Sequence, residues 1–228
     1  MTVPGPQGKQ IKLLWLAVAA LILLNVGTLA YFLGNIESNP DAEEVSRTDI
    51  PVAELLKPGP LEEMVMGDPN APNVIVEYAS MTCPHCAAFH EKLLPELKSK
   101  FVDTGKVRFV FREFPMDNLA AAAFMLARCS GKEKYFPTVE VLFKTQKTWA
   151  KVGGDAKPML LQALNEVGGF TPESFDKCLE DKKLFNDINA VRKRANEEFK
   201  VSSTPSFFVN GKPLVHPESV EEFEALLK

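Results

Sequence analysis

Two cysteines that directly follow a strongly β-forming segment constrain the fold more than any other feature of the sequence. Residues 74–79 are mostly β-branched or aromatic, which is typical of a strand buried on both faces. Cys83 and Cys86 come next, and apolar residues then recur every four positions over residues 84–101, which predicts a helix. The sequence therefore predicts a pair of thiols at a strand-to-helix junction.

The order of the other elements predicts an α/β module that is interrupted by helices. One strand pattern lies on each side of the junction, and residues 117–200 then contain Ala- and Leu-rich helical segments without a strand pattern. Strand pattern returns at residues 205–215 around an Asn-Gly hairpin turn, and a closing helix follows. We therefore predict an α/β domain over residues 61–116 and 201–228, with residues 117–200 as an inserted α-helical domain.

The N-terminal region contains an apolar segment long enough to cross a membrane. Residues 11–33 are interrupted by Lys12 and Asn25, and about 20 helical residues span a hydrocarbon core of ~30 Å. Basic residues precede the segment without a flanking acid. The positive-inside rule therefore places residues 1–10 in the cytoplasm and the chain after the single transmembrane helix on the outer side of the membrane.

A cleaved signal peptide is the alternative for this segment. Residues 13–24 would form its apolar core and residues 28–30 its cleavage site, leaving a soluble periplasmic protein. Apolar residues continue past that site, which favours an uncleaved anchor in the inner membrane. Residues 34–60 are polar, acidic and rich in proline, so they are predicted to be a periplasmic linker.

Charge and cysteine content narrow the possible functions. The chain has 26 Lys and Arg against 30 Asp and Glu, a net charge of −4, and its basic residues are dispersed. This distribution gives no indication of nucleic-acid binding. Four cysteines in an exported protein allow two disulfides and three possible connectivities.

The setting of the cysteine pair favours thiol-disulfide chemistry. Residues three apart on a helix lie within ~5–6 Å, a separation that a disulfide tolerates. Cys83 is predicted at the helix N-terminus, where free N–H groups and the helix dipole stabilise a thiolate. His85 is predicted to add a second stabilising interaction. A stabilised thiolate favours the reduced protein and makes the Cys83–Cys86 disulfide an oxidant.

A half zinc site is the alternative chemistry for this pair. A structural zinc site needs two further ligands. The other histidines are His90, one turn along the same helix, and His216 near the C-terminus, while Cys129 and Cys178 form no second closely spaced pair. The sequence therefore favours redox chemistry and predicts no metal and no bound cofactor.

Several short segments of the sequence resemble those of the DsbA family of thioredoxin-fold oxidoreductases, in particular its membrane-tethered members. The resemblance covers roughly residues 60–228, and its matching segments are Gly67-Asp68-Pro69, Val76-Glu77-Tyr78-Ala79-Ser80, Cys83-Pro84-His85-Cys86, Phe114-Pro115, Arg128-Cys129 and Thr204-Pro205-Ser206-Phe207-Phe208-Val209-Asn210-Gly211. It implies a thioredoxin fold with an inserted α-helical domain, in agreement with the element order above.

The resemblance also implies roles for individual residues. Cys83 would be the exposed nucleophile and Cys86 its buried partner, while Pro205 would be a cis-proline beside the dithiol, with Thr204 binding an extended substrate. Glu77 would be a buried carboxylate that handles the Cys86 proton, although a partly solvated strand end is the alternative. The charged residues that follow the next strand, Arg112 and Glu113, are weaker candidates for the same network.

Cys129 and Cys178 both fall in predicted helices of the insertion. Two free buried thiols are disfavoured in an oxidising compartment, so a structural disulfide is expected. In the chain-entropy model, a disulfide that closes a loop of ~50 residues raises the free energy of unfolding by at most about 4 kcal/mol.

The predicted function is that of a periplasmic oxidase that makes disulfides in exported proteins. A reductase or isomerase would use the same dithiol in another direction, and an anchored chaperone or peptide-binding module would not use it at all. By the resemblance, the partners are exported client proteins and a quinone-linked membrane reoxidase of the DsbB type.

Overall fold

The computed structural model of the protein describes residues 48–151, 154–165, 167 and 169–228. The transmembrane segment, its signal-peptide alternative and most of the linker therefore lie outside the described residues. Within the described ranges, no helix is both long and apolar enough to cross a membrane.

A mixed sheet forms the centre of the described chain. Its strands are β1 (Met64–Met66), β2 (Asn73–Ala79), β3 (Val107–Glu113), β4 (Ser206–Val209) and β5 (Lys212–Val215), in the spatial order β1-β3-β2-β4-β5. Strands β2 and β3 are parallel, and the other neighbours are antiparallel. Every residue of β2 is buried, as its composition predicted, because helices and loops cover both faces of the sheet centre.

Helices cover this sheet and fill the interval between β3 and β4. Their bounds are α1 (Val52–Leu55), α2 (Pro84–Lys92), α3 (Leu94–Leu97), α4 (Asn118–Cys129), α5 (Tyr135–Lys144), α6 (Gln146–Trp149), α7 (Ala156–Asn165), α8 (Pro172–Leu179), α9 (Lys182–Phe199) and α10 (Val220–Glu224). Helices α4 to α9 interrupt the α/β elements at the position predicted for the insertion. The fold is thus a thioredoxin-type α/β fold with an inserted helical region.

The helix after the two cysteines is interrupted, as its proline predicted. Helix α2 ends at Lys92, α3 begins at Leu94, and a π-helical turn over Lys98–Val102 completes the segment. Pro95 has no N–H to donate to the preceding turn, and its ring crowds the carbonyl four residues earlier. The first part of the predicted helix, which carries the cysteines at its N-terminus, is therefore a separate short helix.

The predicted linker over residues 34–60 was wrong for its last part. The Ile50 N–H donates to the Gly211 carbonyl oxygen at 2.9 Å, and Leu55 in α1 is fully buried. Arg194 on α9 also donates to backbone carbonyls of this segment. Proline and acidic composition suggested a tether, but the burial of Leu55 and these hydrogen bonds dock residues 50–57 onto the domain.

A disulfide joins Cys129 at the end of α4 to Cys178 in α8, with the two Cα atoms 6.2 Å apart. Both helices belong to the inserted region, so this bond stays within it. Cys83 and Cys86 are free thiols.

Candidate active site

The two free thiols at the N-terminus of α2 differ in their exposure to solvent. Cys83 is the N-cap residue with an extended backbone, and Pro84 occupies the first helical position, where no N–H is needed. The Cys83 residue is 8% exposed and Cys86 is fully buried. An incoming sulfur can therefore reach Cys83 but not Cys86.

Hydrogen bonds lower the pKa of the Cys83 thiol to about 5. The largest contribution is a hydrogen bond with the Cys86 side chain, and the Thr204 side chain and the backbone N–H groups of Cys86 and His85 add to it, while burial opposes it. In its thiol form, Cys83 Sγ donates to the Thr204 carbonyl oxygen at 3.1 Å. Cys83 is therefore an anion at neutral pH, as expected at a helix N-terminus.

The Cys86 thiol has the opposite character. Burial raises its pKa well above 9, and the hydrogen bond with Cys83 and the negative charge of Glu77 act in the same direction. Cys86 therefore keeps its proton at neutral pH, and the two sulfur atoms differ in charge although they are three residues apart.

The His85 side chain is exposed, and its ring faces that of His216 at a centroid distance of 6.3 Å. The interaction with the Cys83 sulfur that the structure shows comes from the His85 backbone N–H. An additional contribution from the imidazole ring stays a prediction.

Glu77 lies beneath the dithiol and is paired with a histidine. The carboxyl group is fully buried, and its Oε2 lies 2.9 Å from His90 Nε2, while Oε1 has no hydrogen-bond partner. Burial raises the pKa of Glu77, and His90 partly offsets this effect. The solvated alternative for Glu77 is therefore wrong, and sequence reasoning missed His90 as its partner, although its spacing one turn beyond Cys86 placed it on the right face.

The two weaker candidates for this charge network have other partners. Arg112 donates to Glu63 and to the Tyr78 hydroxyl, and Glu113 accepts hydrogen bonds from Arg128 and Tyr135. Their hydrogen bonds bind β3 to neighbouring elements and do not reach the dithiol.

The loop before β4 closes one side of the site. The Thr204–Pro205 peptide is cis, as the resemblance implied. Thr204 is 6% exposed, and its Oγ1 donates to the Met116 sulfur at 3.4 Å. Thr204 thus contacts Cys83 through its carbonyl and Met116 through its hydroxyl.

The inserted region contributes a residue that the sequence did not reveal. Gln146 at the start of α6 donates to the carbonyl oxygens of Met81 at 2.8 Å and Cys83 at 2.9 Å, and it is 5% exposed. A glutamine in a helical segment carries no sequence signal for this contact. The two hydrogen bonds of Gln146 connect the inserted helical region to the loop that positions Cys83.

Two surface grooves flank α2. One has a volume of about 460 Å³ and includes Pro205 and both exposed histidines in its lining. The other, about 560 Å³, lies between α2 and the inserted helices. Within the described ranges, no three His, Cys, Asp or Glu side chains are placed to hold a metal ion.

Comparison with known proteins yields consistent matches. A family profile described as Thioredoxin matches residues 61–228. A Rickettsia bellii protein named, provisionally, as a protein-disulfide oxidoreductase is 39% identical over 150 residues, which are 65% of this chain and 57% of the relative. The chain therefore spans less than two thirds of that relative. Disulfide bond formation protein D of Bacillus subtilis is 24% identical over 172 residues, covering 72% and 75% of the two chains.

Solved structures also resemble the described chain. The crystal structure of Wolbachia pipientis alpha-DsbA1 superposes with a TM-score of 0.69 and 31% sequence identity, covering 76% of this chain and 92% of that one. Bacillus subtilis BdbD in its oxidised form has the same fold, with a TM-score of 0.63 at 21% identity.

Proposed function

This chain belongs to the thioredoxin family and, within it, to the DsbA proteins, and from this premise we propose that it oxidises exported proteins by thiol-disulfide exchange. The observation that carries the proposal is the contrast between the two thiols. The pKa of Cys83 is lowered to about 5, whereas burial raises that of Cys86 well above 9. One sulfur is therefore a good leaving group, and the other retains its proton in the reduced protein.

The direction of exchange follows from the same contrast. Interactions that stabilise the Cys83 thiolate favour the reduced protein and weaken the disulfide relative to it. A tenfold bias toward the reduced form raises the potential of such a two-electron couple by ~30 mV. We therefore assign the Cys83–Cys86 disulfide the role of an oxidant.

Two exchanges at sulfur complete one oxidation. A client thiolate attacks Cys83, the Cys83–Cys86 bond breaks, and the Cys86 sulfur takes the electron pair and then a proton. A second client thiolate attacks the client sulfur of the mixed disulfide, and Cys83 leaves as a thiolate. The client loses two electrons, which the protein holds as its reduced dithiol.

Glu77 is proposed as the group that exchanges the Cys86 proton. Its carboxyl group is buried next to the dithiol, and its negative charge raises the pKa of Cys86. The hydrogen bond with His90 gives this buried carboxyl group a polar partner. Such a carboxyl group can hold a proton without contact to bulk water.

An extended client segment is proposed to bind beside Thr204 and Pro205. The groove of about 460 Å³ runs along this loop and along the exposed face of α2. Its lining combines apolar side chains with exposed histidines, which suits varied client sequences.

The reaction is proposed to occur in the periplasm, with the protein anchored by residues 11–33. A quinone-linked membrane protein of the DsbB type would accept the electrons and restore the disulfide. Carbonate washing of membranes from cells that express the full chain tests the anchor, because an uncleaved helix stays in the membrane. Recovery of a soluble form that begins near Tyr31 would instead support the cleaved alternative.

The redox potential tests the oxidase proposal directly. Equilibration of the wild-type protein with glutathione buffers, followed by alkylation and mass analysis, measures the reduced fraction, with a Cys83→Ser variant as the blank. We expect a potential well above that of thioredoxin, which lies near −270 mV. A potential close to the thioredoxin value would support the reductase alternative, and efficient reshuffling of scrambled clients would support the isomerase.

A further inference from the structure

A groove with a volume of about 560 Å³ lies between α2 and the inserted helices and begins beside the nucleophile. Thr82 and Pro84, the neighbours of Cys83 in the chain, form part of its wall, and Gln146 lines it as well. The Gln146 side chain donates to the Cys83 carbonyl oxygen at 2.9 Å, which fixes the position of the nucleophile relative to the groove. The proposed chemistry does not use this groove.

Lysine side chains give this groove an excess of positive charge, so we term it the basic groove. Lys92, Lys144 and Lys147 line it and are exposed, and Glu91 is the acid in its lining. None of these three lysines forms an ion pair with another described residue. The excess is opposite in sign to the net charge of −4 of the whole chain.

A second acid near the basic groove is already engaged by other groups. Asp117 accepts hydrogen bonds from Thr82 Oγ1 at 2.6 Å and from the Ala120 N–H at 2.7 Å. Its carboxylate therefore holds Thr82 in the wall of the groove and caps α4. The charges of the lysines remain available to carboxylates from outside the chain.

The two grooves beside α2 are neighbours. Ala88 and Lys92 line both of them, and Pro205 lines the groove assigned to an extended client segment. A client cysteine that attacks Cys83 has a flanking segment on each side in its own chain. When one flank lies along the Pro205 loop, the basic groove is placed to take the other, because its wall includes both chain neighbours of Cys83.

We propose that the basic groove binds the second flank of a client cysteine and favours clients with acidic residues in that flank. Carboxylates complement the unpaired lysines, and attraction of this kind acts mainly on the rate of association. This inference rests on the proposed function and names a class of substrate for the same site. It makes Lys144 and Lys147 specificity-determining residues that do not touch the reacting sulfur atoms.

Lys144→Glu/Lys147→Glu tests the groove with two reduced peptides that carry either glutamates or serines on one side of a single cysteine. Acid quenching, alkylation and mass analysis follow the rate at which each peptide consumes the disulfide of the oxidised full-length protein. We expect the ratio of the glutamate rate to the serine rate to be roughly three- to tenfold higher for the wild-type protein than for the variant at low ionic strength. Comparing the two proteins cancels the intrinsic reactivity of each peptide thiol.

Lys177→Glu/Lys182→Glu is the matched control, because both lysines are exposed and line neither groove. It should keep the wild-type ratio, and about 1 M salt, where the Debye length is ~3 Å, should abolish the preference. Glutamates on the other side of the peptide cysteine should have a smaller effect.

Equal acceleration by glutamates on either side would indicate general electrostatic steering and overturn the proposal. An unchanged ratio in Lys144→Glu/Lys147→Glu together with a lower unfolding midpoint would also overturn it, and would assign these lysines to the ends of their own helices, where a cation is stabilising. Thiol exchange with peptides proceeds in oxidases and reductases alike. The ratio therefore reports on the basic groove even if the wild-type potential contradicts the oxidase assignment.

Discussion

At the scale of single residues, the reactivity of the site depends on how differently two neighbouring sulfur atoms are hydrogen-bonded and buried. Cys83 receives hydrogen bonds from Cys86, from Thr204 and from backbone N–H groups of the first helical turn, whereas Cys86 is surrounded by the core and the Glu77 charge. The first environment favours the anion and the second favours the neutral thiol. This division of charge makes a single reactive thiolate available at neutral pH.

Cys86→Ala should raise the pKa of Cys83, because the hydrogen bond with the Cys86 side chain is the largest of the interactions that lower it to about 5. The pH dependence of Cys83 alkylation measures the change. Cys86→Ser, which keeps a hydroxyl donor, should shift the midpoint less. A midpoint that stays near pH 5 in both variants would assign the stabilisation to the backbone N–H groups and the Thr204 side chain.

His90→Leu should destabilise the protein in a pH-dependent manner, because it removes the hydrogen-bond partner of a buried carboxyl group. The pKa of Glu77 is already raised above 4.5, and loss of His90 raises it further. The additional electrostatic cost is therefore absent while Glu77 is protonated in both proteins, sets in above the already raised pKa of wild-type Glu77, and grows with pH until the still higher pKa of the variant is passed. We expect a loss of about 1–3 kcal/mol at neutral pH in urea unfolding.

The control for this measurement is His90→Leu in a Glu77→Gln background. The glutamine cannot ionise, so the pH-dependent part of the loss should disappear and only the packing contribution remain. A loss of equal size at all pH values in both backgrounds would show that His90 acts instead through packing against the rings of Phe111 and Phe143.

At the scale of elements, the site is assembled where α2, the loop before β4 and the inserted helices meet. Helix α2 supplies both thiols, the loop supplies Thr204, and α6 supplies Gln146, which donates to the Met81 and Cys83 carbonyl oxygens. The insertion therefore supports the nucleophile as well as covering the sheet.

The segment that carries α1 should contribute to the stability of the domain. Leu55 is fully buried in a cluster with side chains of the sheet and α9, so Leu55→Ala should cost about 2–5 kcal/mol. Leu56→Ala, at the half-buried neighbour, should cost less. Chemical denaturation of the two variants makes the comparison, and equal, small losses would indicate that residues 50–60 act only as a linker.

At the scale of the whole molecule, the ionisation of Cys83 should couple redox state to stability. Its pKa is lowered from 9.0 to about 5 in the folded protein. The stabilisation of the reduced form is therefore complete above about pH 9 and is lost as the pH falls through about 5. The oxidised protein has no such group, so the reduced protein should gain stability relative to the oxidised protein as the pH rises between these limits.

Denaturant unfolding of both forms from pH 5 to pH 8.5 measures this difference. At neutral pH we expect the reduced protein to be the more stable form, as required of an oxidant. A difference that does not change with pH would contradict the stabilised thiolate. Measurements are kept below pH 9 because above it the Cys86 thiol ionises in the unfolded chain, whereas the buried thiol keeps its proton, and this difference destabilises the folded reduced form.

The sequence by itself determined the features that depend on local patterns. The buried central strand, the thiol pair at the start of a helix, the break caused by Pro95 and the long helical interruption between β3 and β4 all follow from periodicity, composition and spacing. The family resemblance added the cis peptide before Pro205. Apart from that cis peptide, these features involve residues close together in the chain and follow from local preferences.

Only the tertiary structure decided which distant groups meet at the dithiol. His90 reaches Glu77 across 13 residues, Gln146 reaches Met81 across 65, and Thr204 reaches Met116 across 88. A histidine, a glutamine or a methionine has many possible partners, and the docking of the sheet, the inserted helices and the cis-proline loop selects one of them. The docking of residues 50–57 was missed for the same reason, since the buried site for Leu55 exists only after the sheet and α9 have packed together.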